Sequence, residues 1–146
     1  MNGLKTCFIL IAIVFSTKIS GQVSINGQYR SGAGFYASSE AGLKLHLKKS
    51  YIAVRGLKST DFGNASRSDS SSYGISIGAG SSFLIISKIC AGAEINLRIN
   101  DLNGNNGDPF LSPQLYLGYD FRWFEIQLNL GLPYFFGLGF NIPLKT

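Results

Sequence analysis

Few residues in this chain could carry chemistry, and they fall into three groups. His46 is the sole imidazole, which beside a serine and an acid could activate a nucleophile. Asp101, Asn103, Asn105 and Asp108 space oxygen donors in the manner of a calcium loop. Gly107 falls one place late for an EF-hand turn and no Glu closes the loop, so a flexible Asn/Gly turn without metal is expected. The third group is a set of charges: Arg30, Lys44, Lys48 and Arg55 early in the chain, Glu94, Arg98, Asp120 and Glu125 later. What these charges can do depends on the elements that hold them.

Those elements have a period of two. Ile89, Ala91, Ala93, Ile95, Leu97 and Ile99 alternate with Cys90, Gly92, Glu94, Asn96 and Arg98. Residues 73–85, 111–121, 124–132 and 136–144 alternate likewise, and no stretch after residue 21 sustains a 3.6-residue apolar period. Leu43, Leu45 and Leu47 alternate with Lys44, His46 and Lys48; residues 51–57 read as the return strand and 28–37 as the first. Eight strands are therefore predicted.

The first 21 residues read differently. Lys5 precedes an uninterrupted apolar run at 7–15, and a polar exit follows at 16–21. That is the layout of a secretory signal peptide, and the run is about half the length a spanning helix needs. Two domains of the precursor follow: 1–21 signal peptide and 22–146 barrel. Without Lys5 and Lys18 the net charge falls from +5 to +3, no basic run exceeds Lys48-Lys49, and no nucleic-acid partner is expected. Cys90 alone would survive processing, which excludes an intrachain disulfide.

The connections are asymmetric. With the first strand running upward, the lower ones are Lys48-Lys49-Ser50, Ile86-Ser87-Lys88 and Arg122-Trp123, all short enough for tight hairpins. The upper set includes long polar segments at 58–72 and 100–109, with short turns expected at 37–42 and 132–134. An even strand count puts both termini at the lower end. The polar face is chiefly Gly, Ser, Asn and Gln, a poor solvated surface but a good filling for a narrow barrel. The opposite face carries no charge from Tyr73 through Leu144, as a lipid-facing surface requires. Aromatic residues gather at strand ends: Tyr119, Phe121, Trp123 and Phe124 below, Tyr73, Phe110, Tyr134, Phe135 and Phe136 above.

On these residues the chain resembles the small bacterial outer-membrane β-barrel proteins of the OmpA/OmpX kind, over about 28–145. The ending Gly137-Leu138-Gly139-Phe140-Asn141-Ile142 looks like the terminal-strand signal read by the barrel-insertion machinery, although the chain continues through Pro143-Leu144-Lys145-Thr146. With Gln22 after the cleavage point, it also looks like barrels of Bacteroidota. The resemblance implies an all-β, eight-stranded, antiparallel, up-and-down transmembrane barrel. It further implies a Gram-negative cell outer membrane, periplasmic termini, and outer-membrane lipids as partners of a monomer. Some barrels of this architecture are Ser–His–acid lipid hydrolases or acyltransferases working from the outer half. His46 lies next to a lower turn, so no catalytic residue, enzyme activity or cofactor is expected.

The charges then acquire a structural role. Pairing Phe121 with Phe124 sets Asp120 opposite Glu125, and pairing Leu47 with Ile52 sets Lys44 opposite Arg55. Like charges directly opposite are unfavourable, so each pair needs the other. A lumenal salt-bridge network of Lys44, Arg55, Glu94, Arg98, Asp120 and Glu125 is expected to plug the barrel, leaving no porin-like channel. The role is then structural, or one of surface interaction through the long loops. The alternative is a secreted soluble barrel binding a small apolar ligand.

Overall fold

The computed structural model describes residues 21–32, 36–61, 70–99, 109–132 and 135–144. Eight strands occupy nearly all of them: β1 (Gln22–Gly32), β2 (Tyr36–Leu47), β3 (Ser50–Asp61), β4 (Ser70–Ile86), β5 (Ile89–Ile99), β6 (Phe110–Asp120), β7 (Glu125–Gly131) and β8 (Phe135–Pro143). Each pairs antiparallel with its sequence neighbour, and β8 pairs with β1 to close an up-and-down barrel. The first 20 residues, assigned above to a signal peptide, lie outside the described residues.

The stagger of the barrel can be followed residue by residue. From Gln22 the paired partners run His46, Tyr51, Gly80, Glu94, Gln114, Gly131 and Phe135, and return to β1 at Gly32. One circuit thus climbs from Gln22 to Gly32, a shear of ten residues over eight strands. With ~3.3 Å rise per residue and ~4.8 Å between strands, this shear tilts the strands by roughly 40°. A barrel of this size has an interior that side chains just fill.

Alternation decides what fills it. In β6, Ser112, Gln114, Tyr116 and Gly118 are buried while Leu111, Pro113, Leu115 and Leu117 are exposed, and β5 shows the same rhythm. Leu115 is 65% exposed and Arg30 is fully buried. Polar side chains therefore form the centre and apolar ones the outside.

Several expectations for the first third are corrected. The first strand begins at Gln22 rather than at 28 and ends at Gly32. Residues 37–42, expected as a turn, lie within β2. Gly27 interrupts the outward row of β1, and the Phe140 ring of the paired β8 position occupies the space a Cβ would take. Serine, glycine and alanine in 37–42 blur the alternation of β2 in the same way. The β2–β3 turn uses Lys48-Lys49 alone, pairing Leu47 with Ser50 rather than with Ile52. Lys44 consequently faces Ala53 and Arg55 faces Gly42, so these two cations are not cross-strand neighbours. Lys48 belongs to the exposed turn, not to the interior.

Candidate functional site

The feature with the most chemistry is the barrel interior, where alternate residues of all eight strands converge. Its centre is Arg55, which lies on β3 and is almost fully buried. The guanidinium clasps Glu94 of β5 with both ends: Nη1 donates to Oε1 at 2.7 Å and Nη2 to Oε2 at 3.0 Å. Its Nε donates to Asn26 Oδ1, and Nη1 also reaches Asn96 Oδ1 at 3.0 Å. Gln114 Nε2 donates to the same Glu94 Oε1 at 3.0 Å. A planar guanidinium matches a carboxylate in this two-point fashion, and the flanking amides occupy lone pairs and protons that the pair leaves over.

Toward the upper end a second carboxylate collects two arginines. Glu40 Oε1 lies 2.8 Å from Arg98 Nη2 and 3.4 Å from Arg30 Nε, while Gln28 Nε2 donates to Oε2 at 2.7 Å. Arg30 also donates through Nη1 to Ser112 Oγ at 3.3 Å and sits over the Phe135 ring, 4.5 Å from its centroid. Arg98 reaches Ser38 Oγ at 3.0 Å. Glu40 was absent from the expected network because its segment read as a turn. Its signal was parity: Glu40, Lys44 and His46 are all even positions of one strand.

Below Arg55 the chemistry changes. The Lys44 ammonium lies 3.6 Å from the centroid of the Tyr51 ring and 5.4 Å from that of Tyr116. Among the described residues it forms no ion pair, so aromatic faces take the place of a carboxylate. These two tyrosines fit because Gly80 and Gly92 lie under their rings, where a Cβ would collide with them. Tyr116 shares the inward parity of Ser112, Gln114 and Gly118, as the alternation of 111–121 implied, whereas the glycines across from both tyrosines are what make room for their rings.

At the lower mouth Glu125 accepts from neutral donors: Cys90 Sγ at 2.8 Å, Gln127 Nε2 at 3.0 Å and Asn141 Nδ2 at 3.5 Å. His46 Nε2 lies 3.2 Å from Ser24 Oγ and 3.4 Å from Asn141 Nδ2. Ser24 itself is fully buried and donates to the Lys44 carbonyl at 3.3 Å. A sequestered hydroxyl of that kind is placed for packing rather than for attack on a substrate. Asp120 does pair with Glu125 across the strands, but it stands exposed at the rim, where Oδ1 accepts from the Arg122 amide at 2.7 Å. It is therefore removed from the expected network. Arg55 and Glu94 pair directly, Arg98 pairs with Glu40, and Lys44 and Glu125 lie inside without ion pairs among the described residues.

Among the described residues no cluster of His, Cys, Asp and Glu could hold a metal. Apolar or aromatic groups contribute little to the buried interior: Ala37, Tyr51, Ala53, Leu57, Tyr116 and Phe135 are the buried hydrophobic residues described. An apolar ligand would meet arginines, carboxylates and amides there, an interior poorly matched to it.

Fold and interior together define a closed, eight-stranded antiparallel barrel turned inside out, polar within and apolar without. It is similar to a solved structure described as "De novo design of transmembrane beta-barrels", with a TM-score of 0.69 and 9% identity over 85% of this chain and 96% of that one. At that identity the likeness is one of fold. No protein-family model matches the chain, and no curated protein does either.

Proposed function

We propose that the chain is an integral β-barrel of a Gram-negative cell outer membrane, with a lumen plugged by its own side chains. One observation carries the reading: the inversion of the barrel. Ile52, Leu97, Leu115, Leu128, Leu138 and Phe140 are all exposed on the outward face, while Arg30, Arg55, Lys44 and Glu94 are buried. In water that arrangement would leave a belt of apolar side chains exposed to solvent around a costly set of buried charges. In lipid the same belt is the favourable surface. β1, β2, β3, β5 and β6, of eleven or twelve residues and tilted by roughly 40°, extend about 28 Å along the axis, close to the ~25 Å apolar band such barrels need.

The packing of the interior supports the plug. Arg55 with Glu94, and Arg98 and Arg30 with Glu40, cross the lumen at two levels, above the Lys44–Tyr51–Tyr116 stack. The role is then structural or one of surface interaction through segments 62–69 and 100–109, since residues 58–61 and 70–72 of the expected loop lie in β3 and β4. In this reading residues 1–21 are a cleaved signal peptide and both termini are periplasmic. Insertion proceeds through the barrel-insertion machinery, and the barrel is a monomer without enzyme activity.

The test is direct. Cell fractions should show the chain in the outer membrane with heat-modifiable gel mobility, and planar bilayers should show no stable open state. Solubility as a monomer without detergent overturns the membrane reading. A steady conductance of ionic size overturns the plug while leaving the membrane reading intact.

A further inference from the structure

Every hairpin turn at the lower end of the barrel carries a cation. Lys48 and Lys49 join β2 to β3, Lys88 lies between β4 and β5, and Arg122 lies between β6 and β7, all of them exposed. Among the described residues none of the four forms an ion pair. Asp120, the acid nearest to them in β6, is engaged with the Arg122 amide.

Two of these cations hold their places against the preference of the backbone. Lys48 has φ 59° and Arg122 has φ 81°, the non-glycine residues of positive φ among those described. Tight hairpins normally give such positions to Gly, Asn or Asp, which adopt them without a Cβ clash or with a compensating local hydrogen bond. Here both positions went to a basic side chain, and both lie at the same end.

Arg122 and Lys88, on the β6–β7 and β4–β5 turns, also border an aromatic cluster. Trp123, Phe121, Phe124 and Tyr119 are exposed at this rim, with Phe121 stacked on Phe124 at 4.9 Å and meeting Tyr119 edge-on at 4.7 Å. Above them begins the apolar face of Leu117, Ile126 and Leu128. Cation, aromatic ring and aliphatic chain thus follow one another in the order of a phosphate, an interface and an acyl tail. In the sequence the balance differs between β3 and β4 and between β5 and β6, where Asp69, Asp101 and Asp108 stand against Arg67.

We propose that Lys48, Lys49, Lys88 and Arg122 form a ring that binds the phosphates of anionic phospholipids, so the turn-bearing end selects those lipids from its leaflet. The proposal rests on the membrane reading above. A soluble acidic polymer could also meet four cations, but it would gain nothing from the adjoining Trp123 and Phe121.

Trp123 is the sole tryptophan of the chain and reports from inside the proposed site. The purified barrel is reconstituted in phosphatidylcholine vesicles containing chain-brominated phosphatidylglycerol or, in parallel, chain-brominated phosphatidylcholine. Quenching of Trp123 gives the relative affinity of the two lipids for the rim. At low ionic strength phosphatidylglycerol should be favoured by about fivefold. The preference should disappear in strong salt, and also in a barrel carrying K48Q, K49Q, K88Q and R122Q. The salt arm uses the unaltered protein, so it stands even if that variant fails to fold. Equal quenching by the two lipids at low salt, or a preference that survives strong salt, overturns the ring. Absence of quenching by either brominated lipid overturns the membrane reading itself.

Discussion

Along β6, Gln114 and Leu115 are adjacent in the chain and answer to opposite rules. Gln114 is buried and donates to Glu94, whereas Leu115 stands outside at 65% exposure. The same contrast runs through the whole barrel. Inward residues have assigned partners, as Arg55 has Glu94, Asn26 and Asn96. Outward residues need only be apolar, and Ile95, Leu97, Leu128 and Leu138 could exchange places without losing a specific contact. The difference teaches that the inside is where single residues matter by identity, and the outside is where they matter by class.

The largest break of that contrast lies inside. Glu94→Ala removes both oxygens that clasp Arg55 and leaves a guanidinium uncompensated in the lumen. Loss of one partner of a buried pair costs about 3–5 kcal/mol. Denaturant unfolding of the reconstituted barrel should show a midpoint shift of that size. Removing both charges with Arg55→Met and Glu94→Leu should recover much of it. A single variant indistinguishable from the parent would mean that the pair contributes packing alone.

The matching break outside is Leu128→Lys. Leu128 pairs with Leu117 and Leu138 near mid-height of the outward face. A lysine at the centre of a lipid-facing band costs about 2–4 kcal/mol, whereas Ile142→Lys near the rim should cost about 0–1 kcal/mol. Equilibrium unfolding of both variants in vesicles measures the depth dependence. Equal and negligible effects would show that this face meets water.

How much of this was legible in the sequence follows from the same contrast. β5 was predicted at Ile89–Ile99, where it lies, because nothing interrupts its alternation. β1 and much of β2 were hidden by small residues whose apolar partners lie on another strand, as Phe140 does for Gly27. A β2–β3 turn one residue shorter than expected moved the pairing by two positions, which kept every face correct and changed every neighbour. That is why Lys44, Arg55, Glu94, Arg98 and Glu125 were predictable as inward residues while their partners were not. The pairing of Arg98 with Glu40 depends on the stagger of the closed barrel, a property no local window contains. Asp120 had the right parity but ends its strand, so it escapes the interior at the rim.

A smaller break compares neighbours of different size tolerance. Gly92 faces inward, and a Cβ there would collide with the Tyr116 ring and the Ser81 carbonyl. Ala93 faces outward and is exposed. Gly92→Ala should destabilise by about 1–3 kcal/mol through overpacking, while Ala93→Val should be close to neutral. Heat-modifiable gel mobility over a temperature series would order the two variants, and a reversed order would contradict the assignment of faces.

The smallest effect should have the opposite sign. Lys48 and Arg122 hold positive φ, so Lys48→Asn and Arg122→Gly relax the turn without touching either face of the barrel. Each should stabilise by about 0.5–1 kcal/mol, seen as slower unfolding in detergent. The same variants delete two of the four cations at the lower rim, so their preference for anionic lipid should fall as their stability rises. A turn chosen for folding alone would lose neither property by becoming more stable. The two measurements moving in opposite directions would mean that the strain at Lys48 and Arg122 is retained for their charge. A drop in both would instead place the cations among the residues that hold the hairpins closed.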